Sequence, residues 1–159
     1  EHAAMSAFWN GGQNCSANMR QLIAAPLVDE FTRRIIERVK AFKLGDPLDP
    51  ATDIGSMITK DHKEMVMSYI QSGLAEGAGM LMGGESDFPG HFIKPTVFEN
   101  VTPEMKIAKE EIFGPVLGII SVENADEALR IASDTDYGLH ATVFTQNIDQ
   151  ALHMARSLP

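Results

Sequence analysis

Residues 21–40 read QLIAAPLVDEFTRRIIERVK, and the fold is decided by this stretch. Its first five residues, 21–25, are mostly apolar, which is typical of a short buried strand. Pro26 suits the start of a helix, because the first helical residue leaves its N–H unpaired in any case. An i, i+4 recurrence then predicts an amphipathic helix with one apolar face formed by Leu27, Phe31, Ile35 and Val39. A strand that leads directly into a helix indicates an α/β fold.

Helices are predicted on both sides of this unit. They cover residues 1–9, 14–19, about 59–76 and 125–133, and a last helix starts at Asn147. Thr59 or Asp61 is expected to cap the third of these helices, and Gly77 and Gly79 to end it. Asn124 is expected to cap the fourth. The pattern is thus an alternation of helices with short apolar segments.

Those apolar segments predict the remaining strands, at residues 80–82, 92–98, 115–122 and 142–145. Pro95 indicates that its strand lies at a sheet edge or is irregular, since proline cannot donate to a ladder. Helix 125–133 is expected to turn Ala128, Leu129 and Ala132 inward. Strands separated by helices predict an α/β fold with a mostly parallel sheet flanked by helices, and residues 1–159 are expected to form one domain.

Composition and charge exclude several classes of partner. The chain has 159 residues, a formal net charge of −9 and no long basic run, which argues against nucleic acid or an anionic membrane as its partner. No apolar run is long enough to cross a bilayer. One cysteine and five scattered histidines predict neither a disulfide nor a metal site. A reducing, cytoplasmic compartment is the expectation.

Both termini look cut. The chain opens on Glu1 inside a predicted helix and closes on Pro159 directly after another. We therefore expect it to be part of a longer protein.

Cys15 is the candidate nucleophile. A lone cysteine is usually a small buried apolar residue. Gly11 and Gly12 precede it, however, and allow close approach of backbone and substrate. A helix starting near Asn14 would place the sulfur at a helix N-terminus, which favours the thiolate and offers N–H groups to an oxyanion. No histidine lies near Cys15 in sequence, so the base is missing.

A second candidate segment is Lys109–Val116, which reads KEEIFGPV. It is typical of a charged turn that leads into a strand, with Gly-Pro at the bend. An acidic pair followed by an aromatic residue also suits a site that binds a ribose and flanks a flat ring. From the residues alone, both interpretations stay open.

Four segments together resemble the aldehyde dehydrogenase superfamily. Phe8–Arg20, with FWNGGQNC, is similar to its active-site signature, and Glu110–Val116 to its second signature. Lys43–Ile58, with GDPLDPATDIG, resembles its loop after the long helix, and Asp136–Thr145 a fourth motif. The four occur in the family's order and cover nearly the whole chain.

The resemblance implies that Cys15 attacks an aldehyde to give a thiohemiacetal and then a thioester, with NAD or NADP as cofactor. Glu111 would bind the nicotinamide ribose, and Phe113 would pack beside the nicotinamide. Asn10 and Gly12 would shape the turn that presents the sulfur. The family's general-base glutamate, cofactor domain and oligomerisation segment are expected outside residues 1–159, so this chain alone is expected to be inactive.

Several points stay open. Asn14 and Ser16 beside the nucleophile, and His140, depart from the commonest family pattern. His140 is interpreted as a partly exposed strand residue, with substrate tuning as the alternative. The resemblance implies a small-molecule aldehyde as partner, of unassigned identity, and a homo-oligomeric full-length protein. A non-catalytic binding module and a cofactor-independent thiol esterase remain alternative functions. We also expect self-association through apolar surface.

Overall fold

The computed structural model describes residues 1–158, and in that range the chain forms one four-stranded sheet flanked by helices. The strands are β1 (Arg20–Ala24), β2 (Gly79–Glu85), β3 (Ile93–Glu99) and β4 (Val116–Val122). The helices are α1 (His2–Phe8), α2 (Val28–Lys40), α3 (Lys60–Ala75), α4 (Lys106–Lys109), α5 (Ala125–Ser133) and α6 (Ile148–Ser157).

The sheet has the order β1-β4-β3-β2. Strand β4 pairs in parallel with both β1 and β3, whereas β2 runs antiparallel to β3. This confirms the predicted mostly parallel α/β sheet. No helix within residues 1–158 is long and apolar enough to span a bilayer.

Both faces of the sheet are covered, which explains the nearly continuous apolar run of β4 and the continuous burial of residues 95–98 in β3. Successive strand side chains point to opposite faces, so Val97 joins a core with α1 and α2, while Phe98 joins the core that contains α3. The first core centres on Phe8, Ile35 and Leu117. Helix α3 is therefore held on the opposite face from the helix that precedes Cys15.

The unit at residues 20–40 is confirmed, with one correction. Strand β1 leads through a 3₁₀ turn that contains Pro26 into α2, whose Ile35 and Val39 are buried. β1 is half-buried, however, and the expectation of a buried strand is wrong. Within residues 1–158 this strand has a neighbour on one side only, β4, so its other edge is left uncovered by the sheet.

The predicted helix caps are confirmed. Thr59 Oγ1 accepts from the N–H of His62 at 3.1 Å, and Asn124 Oδ1 accepts from the N–H of Glu127 at 2.9 Å. Asn147 caps α6 in the same way. Helix α3 ends where Gly77 takes φ +98°, a left-handed conformation that glycine adopts without steric cost. In α5 the buried side chain is Ile131, while the three residues expected to face inward, Ala128, Leu129 and Ala132, are half-buried.

Pro95 lies in β3, an inner strand, so the edge interpretation is wrong and the irregular one is confirmed. The β2–β3 register shifts on both sides of Met82. Thr96 Oγ1 accepts from the N–H of Gly84 at 2.9 Å, and Gly83 has φ +111°. A side-chain hydroxyl thus accepts an N–H of β2 beside the proline, where the ladder is irregular.

The predicted strand at 142–145 is wrong. The segment pairs with no strand within residues 1–158, and Phe144 is 72% exposed. A strand needs a partner for its N–H and C=O groups, and its apolar residues alone do not provide one. His140, predicted to be a partly exposed strand residue, is exposed but likewise outside any strand, with Nε2 3.1 Å from Thr142 Oγ1.

Candidate active site

Cys15 lies in an exposed turn, and the predicted helix at 14–19 is wrong. Asn14 Oδ1 accepts from both the N–H and the hydroxyl of Ser16, each at 3.1 Å. The N–H of Ala17 donates to the carbonyl of Asn14 at 3.0 Å. These local bonds satisfy the backbone in a turn and compete with a helix. The argument that a helix N-terminus favours the Cys15 thiolate therefore fails.

The thiol itself has one weak neighbour. Cys15 Sγ donates to Asn14 Oδ1 at 3.9 Å, and within residues 1–158 no carboxylate or imidazole is hydrogen-bonded to the sulfur. The backbone N–H of Cys15 donates to no acceptor within the same residues. The turn therefore presents an accessible thiol beside a free N–H group and does not supply a base to the thiol.

A tight backbone turn precedes the thiol. Asn10, Gly11 and Gly12 all have positive φ, at +55°, +64° and +68°. The Asn10 side chain donates to the carbonyl of Gln13 at 3.0 Å and closes the turn. A Cβ on Gly12 would lie 2.5 Å from the carbonyl carbon of Gly114. The turn role expected of Asn10 and Gly12 is thus visible in the backbone, and Gly12 also joins the two signature segments.

Gln13 ties the same turn to a third segment, a role that the sequence analysis did not assign. Its Oε1 accepts from the N–H of Ile58 at 3.0 Å, and its Nε2 donates to the carbonyl of Ser56 at 3.4 Å. A glutamine amide can donate and accept at once, and this capacity is all that the sequence shows of the role of Gln13. The turn with Cys15 is therefore held from two sides, by Gln13 and by Gly12.

The two acids of the second segment have different environments. Glu110 Oε2 accepts from the hydroxyl of Tyr69 at 2.8 Å and lies 3.9 Å from Lys106 Nζ. Glu111 is exposed and forms no hydrogen bond or ion pair within residues 1–158. Glu110 therefore holds the segment in place, while the carboxylate of Glu111, the predicted ribose ligand, is free to meet a ligand.

Tyr69 is affected by this contact. Partial burial, together with the hydrogen bond to the carboxylate of Glu110, raises the pKa of Tyr69 to about 12. Burial disfavours the charged phenolate, and the carboxylate of Glu110 would repel it. Both causes therefore favour the protonated hydroxyl. At neutral pH the hydroxyl remains a donor to Glu110.

Phe113 is half-buried and has φ +55°, which is uncommon for a residue other than glycine. Its carbonyl accepts from Nε2 of His62 at 2.8 Å, and the two rings meet edge to face with centroids 6.3 Å apart. In the sequence, His62 is one of five scattered histidines. The contact joins residues 51 positions apart, and no local pattern indicates it.

A cavity lies next to the turn that precedes the thiol. It is a cleft of about 610 Å³ between the turn at 9–14 and the loop at 47–56. Trp9 and Asn14 line it, but Cys15, Glu111 and Phe113 do not. Within residues 1–158 no cluster of three His, Cys, Asp or Glu side chains could hold a metal ion. The cleft alone therefore does not identify the site.

Comparison with known proteins identifies a family that the chain matches. Residues 1–159 match the model of the aldehyde dehydrogenase family. The chain is 46% identical over 159 residues to aldehyde dehydrogenase 1A1 of Gallus gallus, with 99% of this chain and 31% of that protein covered. The chain thus spans about a third of the length of the curated relatives it matches.

Solved structures show the same likeness. The aldehyde dehydrogenase KauB from Pseudomonas aeruginosa superposes with a TM-score of 0.95 at 43% identity, over 98% of this chain and 32% of that one. Betaine aldehyde dehydrogenase from Staphylococcus aureus, solved in complex with NAD+, superposes with a TM-score of 0.95 at 36% identity over 98% of this chain and 32% of that one.

Proposed function

The chain belongs to the aldehyde dehydrogenase family, and from this premise we propose that the protein oxidises an aldehyde to a carboxylic acid with Cys15 as nucleophile. One observation carries the proposal. The turn with the exposed thiol packs, through Gly12 and Gly114, against the segment that holds the free Glu111. A nucleophile and a candidate cofactor ligand therefore belong to one backbone arrangement.

The proposed chemistry begins at the sulfur. Cys15 Sγ, once deprotonated, forms a bond to the aldehyde carbon and yields a thiohemiacetal. The free N–H of Cys15 is available to stabilise the developing oxyanion. Loss of hydride from the same carbon leaves a thioester, which water hydrolyses to the acid and the thiol.

A nicotinamide cofactor, NAD or NADP, would supply the hydride acceptor. The residues present fit such a group. Glu111 has an exposed, unpaired carboxylate that can accept hydrogen bonds from ribose hydroxyls, and Phe113 offers a half-buried ring at a fixed backbone. The solved relative in complex with NAD+ supports the same proposal.

The test is steady-state kinetics of the full-length protein with NAD or NADP and a panel of aliphatic, aromatic and amino aldehydes. We expect NAD(P)H formation, and Cys15→Ala should abolish it while cofactor binding persists. Cofactor-dependent turnover that survives Cys15→Ala would refute the assignment of the nucleophile. A polypeptide limited to residues 1–159 should give no turnover, because nothing within residues 1–158 is placed to deprotonate the sulfur.

A second function, thiol esterase activity, is favoured by the accessible thiol and its free N–H. An activated ester can acylate Cys15 without a cofactor. The test is a burst of p-nitrophenol from p-nitrophenyl acetate, which should vanish in Cys15→Ala. If neither reaction depends on Cys15, the remaining candidate is a non-catalytic binding module.

We further propose that residues 1–159 form part of the catalytic domain of a homo-oligomeric protein of the cytoplasm. Exposed apolar residues support an assembly, and the accessible lone thiol suits a reducing compartment. Sedimentation of the full-length protein and cell fractionation test the two statements separately.

A further inference from the structure

One face of α3 follows the segment 110–114 along its length. His62, Val66 and Tyr69 are spaced i, i+4 and i+7, so their side chains line up on the same side of the helix. His62 Nε2 donates to the carbonyl of Phe113 at 2.8 Å, and the Tyr69 hydroxyl donates to Glu110 at 2.8 Å. Between them, Val66 packs so tightly on Gly114 that a Cβ there would lie 2.6 Å from its Cγ2.

Glu111 and Phe113 both lie in the segment that these α3 side chains contact. Glu111 follows the residue bound by Tyr69, and Phe113 is bound through its own carbonyl by His62. Phe113 has φ +55°, a conformation that costs free energy for a side chain of this size. The hydrogen bond from His62 goes to the same residue. A side chain of α3 therefore bonds to the residue that has the costly conformation.

We propose that His62 is a positioning residue for the cofactor site, which acts through the carbonyl of Phe113 to fix the Phe113 ring and the neighbouring Glu111. This inference rests on the proposed function. An imidazole suits the role because a carbonyl only accepts, so Nε2 must be the donor. Without that donor the segment can leave the positive-φ conformation, and Glu111 and Phe113 lose their fixed spacing.

The experiment compares three variants of the full-length protein: His62→Ala, His62→Gln and the exposed control His153→Ala. We expect His62→Ala to raise KM for NAD about fivefold to tenfold, the equivalent of one lost hydrogen bond. His62→Gln retains a donor of similar reach and should restore KM to within about twofold. A role limited to global stability would instead lower the concentration of active protein, and hence the apparent kcat, at unchanged KM.

A second readout is amide hydrogen exchange of residues 110–114, which should accelerate in His62→Ala and not in His153→Ala. An unchanged KM in folded His62→Ala would overturn the inference, and so would failure of His62→Gln to restore KM. If the wild-type protein oxidises no aldehyde with NAD or NADP, the proposed function fails and the cofactor role of His62 fails with it. If only the inference fails, the wild-type protein is active and the His62 variants have the same KM as the wild type.

Discussion

Gly12 faces the backbone of Gly114 at a distance that leaves no room for a side chain on Gly12. A Cβ on Gly12 would lie 2.5 Å from the carbonyl carbon of Gly114, and a Cβ on Gly114 would lie 2.6 Å from Val66. Two glycines from distant signatures thus form a stack between the Cys15 turn and α3. The relative position of the thiol and the segment 110–114 depends on this stack.

Gly12→Ala should destabilise the protein strongly. The substitution combines a side chain at φ +68° with a collision against main chain, which cannot move as a flexible side chain would. We expect a loss of about 2–4 kcal/mol in the free energy of unfolding, measured by urea denaturation. Gly90→Ala is the matched control, since Gly90 also has positive φ but no atom within 4 Å of its Cβ position. Equal losses in the two variants would contradict the packing argument.

Substitution of Glu110 should affect stability, whereas substitution of Glu111 should affect cofactor binding. Glu110→Ala removes the acceptor of the Tyr69 hydroxyl, and we expect a stability loss of about 1–2 kcal/mol in thermal or urea unfolding. Glu111→Ala should change stability by less than about 0.5 kcal/mol, because its side chain is exposed and unpaired. In the full-length protein, however, it should weaken cofactor binding by isothermal titration. If Glu111→Ala were less stable but still bound the cofactor normally, Glu111 would be a stabilising residue and not a cofactor ligand.

Stability should fall between pH 10 and about 12. The pKa of Tyr69 is raised from 10.0 to about 12 in the folded chain. Above pH 10 the unfolded chain therefore loses this proton while the native state keeps it, which favours unfolding until the native hydroxyl also ionises. In urea titrations across this range, Tyr69→Phe should show a shallower decline than wild type. Tyr137, the other tyrosine, is the smallest of the four causes that raise the pKa of Tyr69, so Tyr137→Phe should lessen the decline only slightly.

A polypeptide of residues 1–159 should self-associate. Leu139, Phe144 and Ile148 are 69%, 72% and 69% exposed within one short stretch of chain. Sedimentation velocity should show species larger than a monomer, and Phe144→Ser with Ile148→Ser should reduce them. Leu48→Ser is the control, because Leu48 is 89% exposed but lies in a separate loop. A monomer at all concentrations would contradict the prediction.

Local chemistry explains which elements could be predicted from the sequence. The boundaries of α3 and α5 follow from Thr59, Gly77 and Asn124, whose effects extend over one helical turn. The strand–helix unit at 20–40 follows from periodicity in the same way. The segment 142–145 has the composition of a strand but no partner within residues 1–158, and pairing is a property of two segments.

In the candidate site, too, motifs indicate some residues, whereas the contacts of others appear only in the structure. Cys15, Glu111 and Phe113 could be chosen from motifs, although no motif could show that Cys15 lies in a turn bonded to Asn14 Oδ1. His62 and Gln13 act across 51 and 45 positions, and their roles appear only in three dimensions. The candidate residues for chemistry and the turn residues Asn10 and Gly12 could thus be proposed from motifs, whereas the orienting contacts of His62 and Gln13 could not.

The stack of Gly12 on Gly114 has a consequence for enzyme engineering. It sets the gap between the two segments with main-chain atoms, so that gap does not depend on the side chains at Asn14 and Ser16, which flank the thiol. Libraries that diversify these two positions leave this gap in place, although they replace the Asn14–Ser16 hydrogen bonds that shape the turn around the sulfur.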